Sequence, residues 1–310
     1  MGYKLAGYDH LGGVEIDSKV ADVYEENHKP KYLYIEDIRN FVDRDQFPEE
    51  LYKLDILDGS PPCSSFSMAG NREKDWKKQK QFSEGQAFQT LDDLFFYFIK
   101  LAGKLQPKIV IAENVKGLIL GNAKSYVRKI VDSFSDIGYD TQLFLLNAKT
   151  MGVPQSRERV FFIARKRNLN LKKISLLFNE PEIIFDKIID KNDLSFNLTD
   201  NQMRLWKLRN FGDSSFGDIV KRVENGRLSG FSNPILCSHK VCPTITSSAG
   251  IIGIYDLPRR INTKELISAG SFPTDYNFKN LKPQWLIGMS VPPIMTAQIA
   301  HQVYLQIFKK

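Results

Sequence analysis

Short apolar runs alternate with longer amphipathic stretches through the first two-thirds of the chain. Gly12-Gly13-Val14-Glu15-Ile16-Asp17 reads as a strand that ends in acids. Residues 18–28 follow with Val20, Val23 and Tyr24 on one helical face. Tyr32-Leu33-Tyr34 leads to a second acidic end at Glu36-Asp37-Ile38, and residues 54–57 form a further buried strand. Residues 90–105 carry Leu91, Leu94, Phe95, Phe98, Ile99 and Ala102 at helical spacing until Pro107 closes the segment. Ile109-Val110-Ile111-Ala112 reads as a buried strand, 125–137 as a helix, and 142–146 and 160–164 as strands. Strands alternating with helices predict an α/β fold, a parallel sheet with crossover helices.

The pattern then changes. Residues 165–210 are lysine-rich without a clean period, and 211–253 are rich in glycine, serine and asparagine. Regular patterning returns near Lys264, and a last helix is expected over 294–308. A domain boundary is expected near residue 170 on this shift of composition.

Totals narrow the class. The chain has 310 residues, is 42% hydrophobic and 25% charged, and so can build a sizeable soluble core. No apolar run approaches the ~20 residues that span a bilayer, so no membrane association is expected. The amino terminus lacks the pattern of a secretory leader, and 3 cysteines do not make a disulfide framework. A cytoplasmic location is expected. The formal net charge of +7 favours a polyanionic partner, most simply nucleic acid.

Cysteine then changes the picture. Gly59-Ser60-Pro61-Pro62-Cys63 stops a strand in a rigid turn and presents Cys63 just past a strand's carboxyl end. Open α/β sheets hold their chemistry at that edge. A thiol there is a nucleophile when its pKa falls from about 8.5 toward neutrality; otherwise it is a small residue filling a turn. Glu15, Asp37 and Glu113 stand at the ends of other strands, where they either build a site with Cys63 or cap the helices that follow. Glu113 follows four apolar residues, so burial should favour its neutral, proton-donating form. In Gln155-Ser156-Arg157-Glu158-Arg159 the two arginines share one side of an extended segment, either to clamp an anion or to pair locally. Cys237, His239 and Cys242 lack a fourth ligand nearby, so no metal is expected. No Gly-x-Gly-x-x-Gly turn is present, which removes the usual signature of a dinucleotide oxidoreductase.

These strings together resemble the DNA (cytosine-5)-methyltransferases of bacterial restriction–modification systems. The matching strings, in the family's order, are Val14-Glu15-Ile16-Asp17, Asp37-Ile38, Gly59-Ser60-Pro61-Pro62-Cys63-Ser64-Ser65-Phe66-Ser67, Glu113-Asn114-Val115, Gln155-Ser156-Arg157-Glu158-Arg159, Arg259-Arg260 with Phe272-Pro273, and Gly288-Met289-Ser290-Val291-Pro292-Pro293. They cover most of the chain except about 170–240.

The resemblance implies a Rossmann-like, S-adenosylmethionine-dependent catalytic domain over 1–170, completed by 281–310, with a smaller, irregular target-recognition domain over 171–280. It implies Cys63 as the nucleophile toward cytosine C6 and Glu113 as the acid at N3. Arg157 would contact the base or its phosphate, with Gln155 and Arg159 holding the loop and Asn114 ordering the turn. For S-adenosylmethionine it implies Glu15 on the ribose, Asp37 on the adenine amino group, and Ile16, Ile38, Pro61 and Leu94 around the adenine. Residues 64–81 would close over a flipped base. Double-stranded DNA is the implied substrate, and a restriction endonuclease acting on the same site the implied partner; a tRNA cytosine methyltransferase is the alternative within the same chemistry.

Two strings depart from the family. No phenylalanine–glycine loop of the form Phe-x-Gly-x-Gly occurs in the chain, so a preceding segment or a separate polypeptide is expected to supply it. The late Gly-Asn-Ser-Val is Gly288-Met289-Ser290-Val291 here; a methionine cannot form an amide's hydrogen bonds, so that cofactor contact is expected to be either weakened or moved to Ser290.

Overall fold

The computed structural model describes residues 1–62, 93–120, 124–193, 195–224, 233–247 and 252–309. In chain order the described elements are α1 (Gly2–Leu5), β1 (Gly12–Glu15), α2 (Ser18–His28), β2 (Tyr32–Ile35), α3 (Ile38–Val42), β3 (Ile56–Gly59), α4 (Leu94–Leu105), β4 (Ile109–Val115), α5 (Lys124–Asp136), β5 (Tyr139–Asn147), β6 (Glu158–Lys166), α6 (Asp200–Lys207), α7 (Phe216–Glu224), β7 (Ile235–Leu236), β8 (Gly253–Ile254), α8 (Thr263–Ala269), α9 (Pro283–Met289) and α10 (Pro293–Val303). Residues 304–308 continue α10 as a wider helical turn. No described helix is long and apolar enough to cross a membrane.

The chain divides into two compact units. One comprises Met1–Asp9, Ala148–Arg157 and Phe178–Ala300; the other, which holds the main sheets, comprises His10–Asn147, Glu158–Leu177 and His301–Lys310.

In the sheet unit, β1 pairs with β2 in parallel, and β3 pairs with β4 in parallel. The expectation of a wholly parallel sheet is corrected here. β6 runs antiparallel to both β4 and β5, so the larger sheet has the order β3-β4-β6-β5 and is mixed. The sequence explains the placing of β6. Val160 to Ala164 is an unbroken apolar run, all of it buried, as an interior strand requires. β5 alternates between covered and exposed positions, as an edge strand does.

α4 and α5 close one face of this sheet. Phe95, Phe98, Ile99 and Ala102 of α4 and Tyr126, Ile130 and Phe134 of α5 meet Val110, Ala112, Val160, Phe162 and Ala164. Tyr139, at the start of β5, buries its hydroxyl as a donor to Pro107 O at 2.6 Å. A second cluster joins α3 to the rear of α4 through Phe41, Val42, Phe47, Leu51, Leu101 and Leu105, with Val14 of β1 and Leu57 of β3 packed against it.

In the other unit, α6, α7 and β7 share a small core of Leu198, Leu205, Phe216, Ile219 and Ile235. The unit also encloses a buried ion pair. Arg259 donates from Nη1 and Nη2 to the two Glu265 carboxylate oxygens at 2.9 and 2.7 Å, and both side chains are 1% exposed. Glu265 also accepts from the backbone of Asn262 and Asp190, so each carboxylate oxygen has a second donor. Two donors on each carboxylate oxygen offset the lost hydration of the buried charge, although Arg259 Nε has no hydrogen-bond partner among the described residues.

Gly59 ends β3 directly beneath α4. A Cβ built there would lie 2.6 Å from Phe98 Cε2, and Phe98 is packed into the main core. Gly59→Ala is therefore expected to destabilise the protein by about 1–3 kcal/mol, the usual cost of overpacking. Urea unfolding measures this as a lowered midpoint at unchanged slope.

Candidate active site

The register of β4 between β3 and β6 assembles the candidate catalytic groups of the sheet unit. Gly59 pairs with Ala112, so the next residues of β4 run beside Ser60 and Pro61. Asn114 is 4% exposed and donates its side-chain amide to Pro61 O at 3.1 Å. Its own Oδ1 accepts from Val115 N at 2.9 Å. The chain at Pro61 is thereby fastened to the adjacent strand. Cys63 itself and the 64–81 segment lie outside the described residues.

On the other side of β4, Val115 pairs with Arg159 and Glu113 with Phe161. Glu113 and Arg159 are therefore diagonal neighbours on one face, within reach of long side chains. Arg159 Nε meets Glu113 Oε1 at 2.9 Å, with 14% and 13% of the two side chains exposed. Burial lowers the Arg159 pKa from its ordinary value, and the Glu113 carboxylate acts against that shift. Arg159 also donates to Glu158 O at 2.8 Å, which fixes the guanidinium plane.

Arg157 has a different position. β6 begins at Glu158, so Arg157 lies outside the strand and in the other unit. Its carbonyl accepts from Ala148 N at 3.0 Å, but its side chain finds partners different from those of Arg159. Arg157 is 1% exposed and donates to Ile245 O and Gly288 O, each at 2.8 Å. Gln155 is equally buried; it donates to Ala269 O at 3.2 Å and accepts from Ile245 N at 3.2 Å. These two side chains tie residues 242–246, the end of α8 and the end of α9 together inside that unit. Ser290 follows α9 and donates its hydroxyl to Leu286 O at 2.7 Å, while Met289 stands 60% exposed.

The acidic strand ends serve their helices first. Asp17 caps α2, and Glu15 Oε1 accepts from Asp17 N at 2.9 Å. Asp37 caps α3 and pairs with Arg39, at 3.0 Å to Nε and 2.5 Å to Nη2. Burial pushes the Asp37 pKa up, but the Arg39 hydrogen bonds and charge outweigh it and hold the carboxyl below its usual range. Ile38 packs against both core clusters, Leu94 is buried, and Ile16 and Pro61 are half-buried. Carboxylates at the ends of adjacent parallel strands, flanked by aliphatic side chains, fit a nucleoside: acceptors for hydroxyl and amino groups beside an apolar bed for a base.

One site group escaped the sequence reading. Asp58, inside β3, is pushed up to about 6 by desolvation. Its side chain is solvent-exposed, so the upward shift reflects the neighbouring protein rather than enclosure. The phenol of Tyr24 is raised by its own burial and by the Asp58 charge, and it shares a short hydrogen bond with His10 Nε2. His28 lies 5.2 Å from the Tyr24 ring, centroid to centroid. The available signal was an acid at a position where the strand pattern calls for an apolar residue. Among the described cysteines, burial lifts the Cys242 thiol to about 12, with Glu265 adding to the shift, which leaves it unreactive at neutral pH.

A family profile described as C-5 cytosine-specific DNA methylase matches residues 1–305. The chain is 34% identical to the Type II methyltransferase M.NgoPII of Neisseria gonorrhoeae, over 97% of this chain and 90% of that protein. It is 27% identical to the Type II methyltransferase M.FnuDI of Fusobacterium nucleatum, over 98% of this chain and 90% of that one. Among solved structures, a prophage-encoded E. coli protein described as a DNA modification methyltransferase superposes with a TM-score of 0.70 at 19% identity, covering 99% of this chain and 95% of that one. A DNMT2 variant from Spodoptera frugiperda gives 0.65 at 19% identity, covering 98% and 95%.

Two outcomes follow from the geometry. Asn114→Ala leaves Pro61 O without its donor and is expected to cost about 1–3 kcal/mol in urea unfolding, the penalty of a stranded polar group. Asp58 carries a folded-state pKa above the ordinary carboxylate value, so it favours folding while protonated. That contribution is lost as pH rises through about 6. Asp58→Asn should therefore raise the melting temperature at pH 7 more than at pH 4, read by calorimetry at both values.

Proposed function

The chain belongs to the C-5 cytosine-specific DNA methylase family, and on that footing we propose that it methylates C5 of a cytosine flipped out of a specific duplex site, through a covalent adduct at Cys63. The observation that carries this reading is the β3–β4–β6 register. It fastens Pro61 with Asn114 and holds Glu113 against Arg159, and in the sequence Cys63 follows Pro61 by two residues.

A cytosine ring carbon is too poor a nucleophile to take a methyl group unaided. The Cys63 thiolate adds to C6, and the electron pair of the C5–C6 bond shifts toward N3, which takes a proton from Glu113. C5 is now nucleophilic and accepts a methyl group. Loss of the C5 proton to solvent water then returns a pair to the ring, expels the thiolate and restores the C5–C6 double bond, while N3 gives its proton back to Glu113. Arg159 orients Glu113 throughout. Arg157 and Gln155, bound to backbone carbonyls and amides, act by holding the segments they tie rather than by meeting the base.

S-adenosylmethionine, when bound, supplies the methyl group. Glu15 would accept its ribose hydroxyls and Asp37 its adenine amino group, with Ile16, Ile38, Pro61 and Leu94 against the adenine and Ser290 as a further contact. Residues 171–280 would read the duplex, and the net charge of +7 suits the phosphates. The names of the relatives support a restriction–modification role, with an endonuclease of matching site as functional partner.

Cys63→Ser is expected to abolish methyl transfer to duplex DNA while gel-shift affinity survives. A 5-fluorocytosine duplex should trap the wild-type chain, but not this variant, as a stable adduct on a denaturing gel. Full activity in Cys63→Ser would remove the mechanism. Glu113→Gln should slow single-turnover methylation by about 10²–10⁴-fold, the loss typical of a missing general acid.

A further inference from the structure

A groove of about 320 Å³ opens at the start of the edge strand β5, within the sheet unit. Val131 and Ser135 of α5, Tyr139 and Thr141 of β5, Arg165 of β6 and Lys173 line it. It lies at the opposite end of the sheet from the Glu113–Arg159 pair. Arg159 opposes Leu146 and Arg165 opposes Asp140, so the two arginines stand roughly 20 Å apart along β6.

Arg165 is only 7% exposed, and its Nη1 donates to Leu171 O. Its Nε is sealed from solvent with no hydrogen-bond partner among the described residues, and Nη2, which is not sealed, donates to none of them. Nε and Nη2 form the side of a guanidinium that grips an oxyanion through two parallel bonds. The edge best suited to an anion is thus the edge the protein leaves unused. The Thr141 hydroxyl is a second enclosed group of the lining without a partner. Native folds rarely strand buried polar groups, because the lost hydration is not repaid.

Lys173 is set in place by clamps on both sides of it. Leu171 O is held by Arg165. Gln142 takes both backbone groups of Ile174: Oε1 accepts from its N–H at 2.9 Å, and Nε2 donates to its carbonyl at 3.0 Å. Gln306 grips Ser175 in the same way, at 2.9 Å for each bond. Lys173 itself is exposed and pairs with no carboxylate among the described residues. Asp140, the acid of the lining, is met by Arg167 Nε at 3.0 Å. Two cations therefore border the groove without a counter-charge.

We infer that this groove is a binding site for a small phosphate monoester, whose phosphate accepts from Arg165 Nε and Nη2 and from Lys173 Nζ. Such a phosphate carries about −1.5 to −2 at neutral pH and so matches two cations, whereas a carboxylate matches one. Val131 and the Tyr139 ring offer an apolar wall to the ester group, and the Ser135 and Thr141 hydroxyls offer further polar contacts. The volume suits a small organic ligand rather than a bare ion. The inference goes beyond the methyl-transfer reading and does not depend on it.

The full-length chain tests it by titration calorimetry and amide NMR, with phenyl phosphate as the probe and benzoate as the singly charged control. Saturable binding of phenyl phosphate is expected, with amide shifts at residues 139–142, 165 and 173. Benzoate should bind about tenfold more weakly or worse. Lys173→Ala should weaken phenyl phosphate about tenfold, and so should Arg165→Lys, which keeps the charge but loses the fork. Should Arg165→Lys fail to fold, the exposed Lys173→Ala decides alone. The site is refuted by absent binding, by wild-type affinity in Lys173→Ala, or by shifts confined to other parts of the chain. Equal affinity for benzoate would assign the groove to carboxylates. Displacement of the probe by a duplex oligonucleotide would assign it to a nucleic-acid backbone. Either result overturns the small phosphate monoester. None of these readouts uses methyl transfer, so an inactive Cys63 would not be mistaken for an empty groove.

Discussion

The pairing of β4 with β3 on one side and β6 on the other sets most of what matters in the sheet unit. A parallel register brings Asn114 beside Pro61, and an antiparallel register brings Glu113 beside Arg159. Side chains alternate across a strand, so a slip of one residue would turn Glu113 from one face to the other and separate both pairs. The apolar run Ile109–Ala112, buried on both faces, resists such a slip because no polar residue can take its place. Core packing thus fixes the chemistry at the strand's end.

Charge in this protein is largely committed to structure. Asp17 and Asp37 cap helices, Glu265 is enclosed by Arg259 and three backbone or capping contacts, and Arg157 is spent on two carbonyls. Buried charges persist only where hydrogen bonds replace lost water. The Arg159–Glu113 pair is the exception in kind: it is nearly buried, yet it stands at the sheet edge where the Pro61 turn leaves. Asp58 is a second exception, a strand carboxyl whose surroundings raise its pKa. In a sheet otherwise well packed, those two places concentrate the electrostatic tension.

The strand and helix order was legible from residues 12 to 166 because apolar period and breaker residues agree there. Pro107 ends α4, the acids at 17 and 37 open the next helices, and the uninterrupted Val160–Ala164 run marks an interior strand. Strand direction was not legible: an apolar run carries no sign of whether its neighbour is parallel, and β6 proved antiparallel to β4. The roles of the two arginines were also hidden. Both sit in one short string, and only the tertiary contacts send Arg159 to Glu113 and Arg157 to the carbonyls of Ile245 and Gly288.

By itself the sequence determined an α/β chain of the cytosine-5 methylase family, with its strand-end acids and a cysteine after two prolines, because local period, turn chemistry and ordered short strings survive without coordinates. Tertiary structure alone decided which charges meet and which are spent on caps and carbonyls. Those outcomes depend on register and on contacts between residues far apart in the chain, and neither leaves a mark on the local pattern.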